Sequence, residues 1–183
     1  MFELDSGLTQ AINSAAGQHP LLDQLMIWVS TLGVPVIVAL VALQWWRRDD
    51  RHRVRHVLVA AGLSFLLGLG LNQLVLLFVH RIRPYDAGVS HLLIPPSADW
   101  SLPSDHATAA MAVAATFLLH RMPRMGAGFL AAALLMMAAR VYVGIHFAGD
   151  VLAGAVTGIV AAVIVARLYW PGTRLDRLIT GIL

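Results

Sequence analysis

Five apolar runs, four of them long enough to cross a bilayer, constrain this chain more than any other feature. They cover about residues 21–46, 54–79, 106–119, 125–143 and 151–170. A spanning helix needs about 20 apolar residues. Inside a bilayer each backbone polar group must be satisfied without water, which leaves helices as the solution for such runs. The sequence therefore predicts an all-α polytopic membrane helix bundle with five transmembrane helices. The third run is short, and its start is expected below the membrane surface in a protein-lined cavity. Ahead of the first run, Phe2, Leu4, Leu8 and Ile12 recur at helical intervals beside Glu3 and Asp5. That pattern predicts an N-terminal interfacial helix over residues 2–16; the plainer reading is a frayed terminus.

Composition agrees. The chain is 58% hydrophobic and 13% charged, against about 45–50% and about 25% for soluble domains. It has no cysteine, so disulfides and thiolate metal sites are excluded. The opening Met1-Phe2-Glu3-Leu4-Asp5 lacks the basic start of a signal peptide. With no internal repeat or low-complexity linker, residues 1–183 are expected to form one domain.

All 13 basic residues are arginine. A pI near 10.2 suggests nucleic acid at first sight, but the arginines flank apolar runs, so no nucleic-acid partner is expected. Arg47, Arg48, Arg51, Arg53, Arg55, Arg121, Arg124, Arg167, Arg174 and Arg177 all fall on one side of a five-span chain. Positive-inside bias makes that side cytoplasmic. The other three, Arg81, Arg83 and Arg140, fall on the outer side, where the bias disfavours them. An anionic ligand at that face explains them; the alternative is snorkelling to lipid headgroups.

Those three arginines sit among other ionisable groups in a chain otherwise rich in Leu, Ala, Val, Ile and Gly. Ionisable groups near membrane depth are functional candidates by default. His146 and Asp150 are four apart at the start of the fifth run, a spacing that predicts one helix face. A carboxylate on one imidazole nitrogen fixes the tautomer and makes the other nucleophilic. Alone the pair is a weak signal, and the plainer reading is a surface histidine with a helix-start acid. In Pro103-Ser104-Asp105-His106, Ser104 is suited to cap the third helix. The free N–H groups of that helix start are an anion site, and His106 is placed to donate a proton. Asp105 is out of place beside a phosphate; the open readings are that it faces away, orients His106, or binds water or a second group. Simple capping with solvated Asp105 and His106 is the bland alternative. Arg83 precedes Pro84, which ends the second helix. Asn72, Leu76, His80 and Arg83 share a helix face, with Arg81 off it.

Taken together, these patches resemble the type 2 phosphatidic acid phosphatase superfamily, which also includes the vanadium haloperoxidases. Its signature is Lys-x6-Arg-Pro, then Pro-Ser-Gly-His, then Ser-Arg-x5-His-x3-Asp. Arg83-Pro84 matches the end of the first motif. The second matches with Asp105 in place of Gly. Arg140, His146 and Asp150 match the third, with Ala139 in place of Ser. The match covers about residues 72–158. The motif lysine falls at Leu76, which cannot bind phosphate, and Arg81 or His80 is the expected replacement, with Arg81 favoured. The Pro-Ser-Asp-His form resembles the bacitracin-resistance type of undecaprenyl pyrophosphate phosphatase.

The resemblance implies a metal-independent hydrolase without cofactor. It implies His146 as nucleophile, Asp150 orienting it, His106 as the acid for the leaving group, and Arg83, Arg140 and Ser104 holding phosphoryl oxygens. Arg81 and Asp105 are added as candidate substrate contacts. The implied substrate is a polyprenyl diphosphate, undecaprenyl diphosphate foremost, cleaved at the outer face of a bacterial inner membrane. Rival readings are a phosphatidate, phosphatidylglycerophosphate or lipid A phosphate phosphatase, a lipid-binding or transporting protein with a degenerate site, and a metal site built from His106, His146 and Asp150. The loop of residues 85–102 is expected either to roof the site, with Trp100 as interfacial anchor, or to pack on the bundle. Gly154 and Gly158 are expected to serve helix packing, and Asn72 and Gln73 interhelical hydrogen bonds. Oligomeric state is not legible.

Overall fold

The computed structural model describes residues 2–182. The regular structure of the described residues is helical, without strands, and the long helices fall on the predicted apolar runs. Helix α1 spans Phe2–Asn13 and α2 spans Pro20–Leu43, closing in a 3-10 turn, Gln44–Trp46. Next come α3 (Arg51–Leu76), α4 (Asp105–Leu119), α5 (Pro123–Tyr142), α6 (Ala148–Leu168) and a short α7 (Arg174–Thr180). Four helices, α2, α3, α5 and α6, are long and apolar enough to cross a membrane. The fifth expected span, α4, has 15 residues, about 22 Å at 1.5 Å per residue.

Short as it is, α4 is the axis of the bundle. It packs against α3, α5 and α6, and every residue from Ala107 to Phe117 is buried. The small side chains of this helix explain the fit. A Cβ on Gly154 would meet the Ser104 carbonyl at 2.5 Å, and one on Gly158 would meet the Thr108 carbonyl at 2.5 Å. Both glycines therefore let α6 lie directly on the α4 backbone, the packing role their four-residue spacing predicts. Below, Phe117 packs against Phe129 of α5 with ring centroids 4.8 Å apart and the rings tilted. Outward, Leu21, Trp28, Leu66, Leu74, Leu152 and Val156 are exposed. A belt of that kind suits lipid rather than water.

The arginine-rich turns gather at one end. Arg53 donates to the carbonyls of His120 and Arg121, and Arg55 donates to Thr180 of α7. Helix α7 lies outside the expected spans. Thr173 caps it by accepting from Asp176 N. Asp176 accepts from Tyr169 at 2.6 Å and the Gly172 backbone at 2.7 Å, and lies 2.8 Å from His56 Nδ1.

Helix α1 ends at Asn13 rather than at residue 16, and two boundaries next to the site also differ from expectation. Helix α3 ends at Leu76, so His80, Arg81 and Arg83 lie on non-helical chain and do not continue the face of Asn72 and Leu76. Pro84 restricts only its immediate neighbour, and the helix has unwound before that point. Helix α6 begins at Ala148, so His146 precedes the helix that carries Asp150. The reason is the turn at Gly144, with φ +82, where a Cβ would collide with the His91 carbonyl at 2.3 Å.

Candidate active site

Three chain segments converge at the end opposite the arginine-rich turns: the stretch after α3, the entry to α4, and the α5–α6 turn. The Ser101 backbone N–H donates to the Arg81 carbonyl at 2.8 Å, and the Ser104 N–H donates to the Asp150 carbonyl at 3.1 Å. These bonds tie the segments side by side.

His146, buried in the α5–α6 turn, has a defined tautomer. Its Nδ1 lies 2.8 Å from the Ser101 carbonyl. A carbonyl only accepts, so Nδ1 carries the proton. On the other side, Arg83 Nη1 is 3.5 Å from Nε2. A guanidinium only donates, so Nε2 presents its lone pair toward the arginine. Burial first of all holds this imidazole down to about 4; Arg140 and Arg83 push the same way and Asp150 opposes them. The ring is therefore neutral near pH 7, with an unprotonated Nε2 on the side of Arg83.

Asp150 does not make the direct bond that the four-residue spacing suggests. Its Oδ2 is 3.7 Å from His146 Nδ1. It accepts instead from the Ser101 hydroxyl, from the Phe147 backbone N–H at 2.9 Å and from Arg81 Nη1 at 2.7 Å. The last contact corrects a second expectation. Arg81 does not replace the missing lysine at a phosphate: its other nitrogen, Nη2, donates to Asp5 of α1 at 2.6 Å, and its guanidinium lies 3.9 Å from the Phe147 ring. Both ends of its fork are occupied by carboxylates. His80, the other candidate, packs on Trp100 with centroids 5.0 Å apart.

Arg83 is buried and lies beside His146. It donates to the Ile145 carbonyl at 2.9 Å and to Asp99, whose Oδ1 is 2.6 Å from Nη2. Partial burial pushes Asp99 up, but hydrogen bonds from Ser97 and Arg83 outweigh it and leave the carboxyl below its usual range. Arg140, near the end of α5, donates to the Ser30 hydroxyl at 2.9 Å, while its Nε is buried without a partner. Ser104 occupies the N-cap position of α4 as predicted, but makes no side-chain cap, and its buried Oγ also has no partner. His106, in the first turn of α4, is half-buried, within the electrostatic reach of Arg140, His146 and Arg83. Asp105 accepts from Asn72 of α3 at 2.7 Å. Asn72 also donates to Thr108 at 2.9 Å, which gives it the interhelical role expected; Gln73 is exposed.

Chemically, this is a neutral imidazole in a cationic setting, with two buried polar atoms of the site, Ser104 Oγ and Arg140 Nε, left without a partner. Such groups are costly unless a partner arrives, and an oxyanion is the partner their charge favours. Ser101, Ser30, Asp99 and Asp5 are the residues that motif reading missed. Ser30 left a sequence trace as a polar residue inside an apolar run, and Asp5 one as an acid of the N-terminal helix. The 85–102 loop packs on the bundle in its apolar part: Leu92, Leu93 and Ile94 pack against Tyr142, Val143 and Ile145, and Leu93 N donates to the Val143 carbonyl at 3.0 Å. Trp100 remains partly exposed.

Comparison with known proteins bears on this geometry. The PAP2 superfamily model matches residues 57–174. The chain is 33% identical to the undecaprenyl-diphosphatase BcrC of Bacillus subtilis, over 88% of this chain and 80% of that protein. It is 26% identical to the putative undecaprenyl-diphosphatase YbjG of Escherichia coli, over 91% and 83% of the two chains. The fold is similar to the crystal structure of Aquifex aeolicus LpxE, with a TM-score of 0.65, 28% identity, and coverage of 88% of this chain and 93% of that one. It is also similar to a PAP2-type phosphatidylglycerolphosphate phosphatase from B. subtilis, with a TM-score of 0.68, 23% identity, and coverage of 94% and 87%. The last likeness concerns the fold alone.

Proposed function

The chain belongs to the PAP2 superfamily and is a multi-pass membrane lipid phosphatase, and from this we propose that it hydrolyses undecaprenyl diphosphate to undecaprenyl phosphate through a phosphohistidine. The observation that carries the chemistry is the His146 tautomer, with Nε2 unprotonated and facing Arg83. The substrate reading rests on the undecaprenyl-diphosphatase relatives, which match along most of this chain.

In the proposed reaction, His146 Nε2 attacks the terminal phosphorus and the bond to the bridging oxygen breaks. His106 gives its proton to that oxygen, and undecaprenyl phosphate leaves. Water then attacks the phosphohistidine, His106 takes the proton, and inorganic phosphate is released. Arg83, Arg140 and Ser104 hold the phosphoryl oxygens as charge develops. Arginine charge fills the part that a metal ion plays in other phosphoryl transfers, which supports a metal-independent reaction. Positive-inside bias supports a site facing the periplasm or cell exterior in a bacterial inner membrane.

The test is phosphate release by purified protein in detergent with EDTA, comparing undecaprenyl diphosphate with phosphatidate. Preference for the diphosphate is expected. Preference for phosphatidate would move the protein to phospholipid turnover, and dependence on an added metal ion would overturn the metal-independent reaction.

A further inference from the structure

Helix α1 does more than rest on the membrane surface. Asp5, Thr9 and Asn13 are spaced i, i+4, i+8 and form one stripe, and all three side chains are used on other segments. Asp5 Oδ1 accepts from Gly149 N at 2.7 Å. The Thr9 hydroxyl accepts from Ala148 N at 3.0 Å. Asn13 donates to the Tyr142 carbonyl at 2.7 Å. Ala148 and Gly149 open α6, where the first N–H groups have no acceptor within the helix. So α1 caps α6 from outside, and Asn13 holds the end of α5. The His146 turn lies between these two anchors.

Asp5 reaches further. Its Oδ2 accepts from Arg81 Nη2 at 2.6 Å, and Arg81 Nη1 donates to Asp150 at 2.7 Å. Asp150 is in turn 3.7 Å from His146 Nδ1. The approach is close: a Cβ on Gly149 would lie 2.8 Å from Asp5 Oδ2. The geometry points to Asp5 as a positioning residue for the hydrolysis, acting through Arg81 to fix the Asp150 carboxylate and the turn that carries His146. It touches no reacting atom. This inference rests on the reading of His146 as nucleophile.

The test is a double-mutant cycle on kcat, with purified full-length protein in detergent and undecaprenyl diphosphate as substrate. Asp5→Ala, Arg81→Ala and the double variant are compared, with His146→Ala alongside. Melting temperature is recorded for each, and Asp5→Asn serves if Asp5→Ala fails to fold, since it keeps an acceptor for Gly149 N while removing the ion pair. The expected result is a fall in kcat of about tenfold for Asp5→Ala with KM changed by less than about threefold, and a double variant no slower than Arg81→Ala alone. A purely structural part for Asp5 would lower the folded fraction and leave kcat per folded enzyme unchanged. That outcome, or effects of the two substitutions that multiply, overturns the inference while a dead His146→Ala leaves the nucleophile reading intact. An active His146→Ala overturns the nucleophile reading itself, and this inference with it.

Discussion

His146 Nδ1 sits 2.8 Å from the backbone carbonyl of Ser101, so a main-chain oxygen sets the tautomer of the proposed nucleophile. In a serine-protease-type triad a carboxylate does that work, and replacing it by an amide costs about 10⁴ in kcat because the tautomer is wrong. Here the carboxylate of Asp150 stands 3.7 Å away, and its contacts are to Ser101, Phe147 and Arg81.

Asp150→Asn is therefore expected to slow turnover by about 10–100-fold, well short of the loss seen when a tautomer is inverted. Single-turnover rates on protein of verified melting temperature check this. A loss of about 10⁴ would mean that Asp150, and not Ser101, controls the ring.

Burial holds His146 down to about 4, with Arg140 and Arg83 adding to the effect. The nucleophile needs the neutral ring, and a lowered pKa keeps it neutral as pH falls through 6.5. The acid limb of kcat/KM, which reports the free enzyme, is expected below 6.5. It should be measured with two substrates of different phosphate pKa, to remove substrate ionisation. An acid limb at or above 6.5 with both would contradict the buried, arginine-flanked setting.

Arg140 keeps one buried nitrogen, Nε, without a partner. Arg140→Lys retains charge but loses the planar fork. A charge-assisted hydrogen bond is worth about 1.5–3 kcal/mol, so kcat/KM is expected to fall by about 10–150-fold. Steady-state kinetics with unchanged values would remove Arg140 from the phosphate contacts.

Gly158→Ala places a methyl group against the Thr108 carbonyl and the Ala112 amide, both backbone. Overpacking of this kind costs about 1–3 kcal/mol, and a lower melting temperature in detergent is the expected reading. An unchanged value would mean that α4 and α6 part at little cost.

The five apolar runs and the three polar patches were legible because length and apolar continuity decide spans, and because ionisable groups stand out against them. Ser104 at the N-cap position of α4 was legible from its residue type, although its hydroxyl makes no cap there. The His146–Asp150 contact was not: four-residue spacing assumes an unbroken helix, and the turn at Gly144 delays α6 to Ala148. The place of Arg81 was hidden for another reason. Its partners Asp5 and Asp150 lie 76 and 69 residues away in sequence, and neither charge pattern nor periodicity encodes a pairing at that range. Helix α7 is short and held by His56 and Tyr169 through Asp176, contacts that no local pattern announces.

The most direct test of the account is a rapid-quench experiment with undecaprenyl diphosphate labelled in its terminal phosphate, followed by mapping of the labelled residue. The account predicts an acid-labile, base-stable phosphoryl group on His146 that decays at the rate of phosphate release and is absent from inactive His146→Ala. Turnover by His146→Ala, or a label on any other residue, would contradict it.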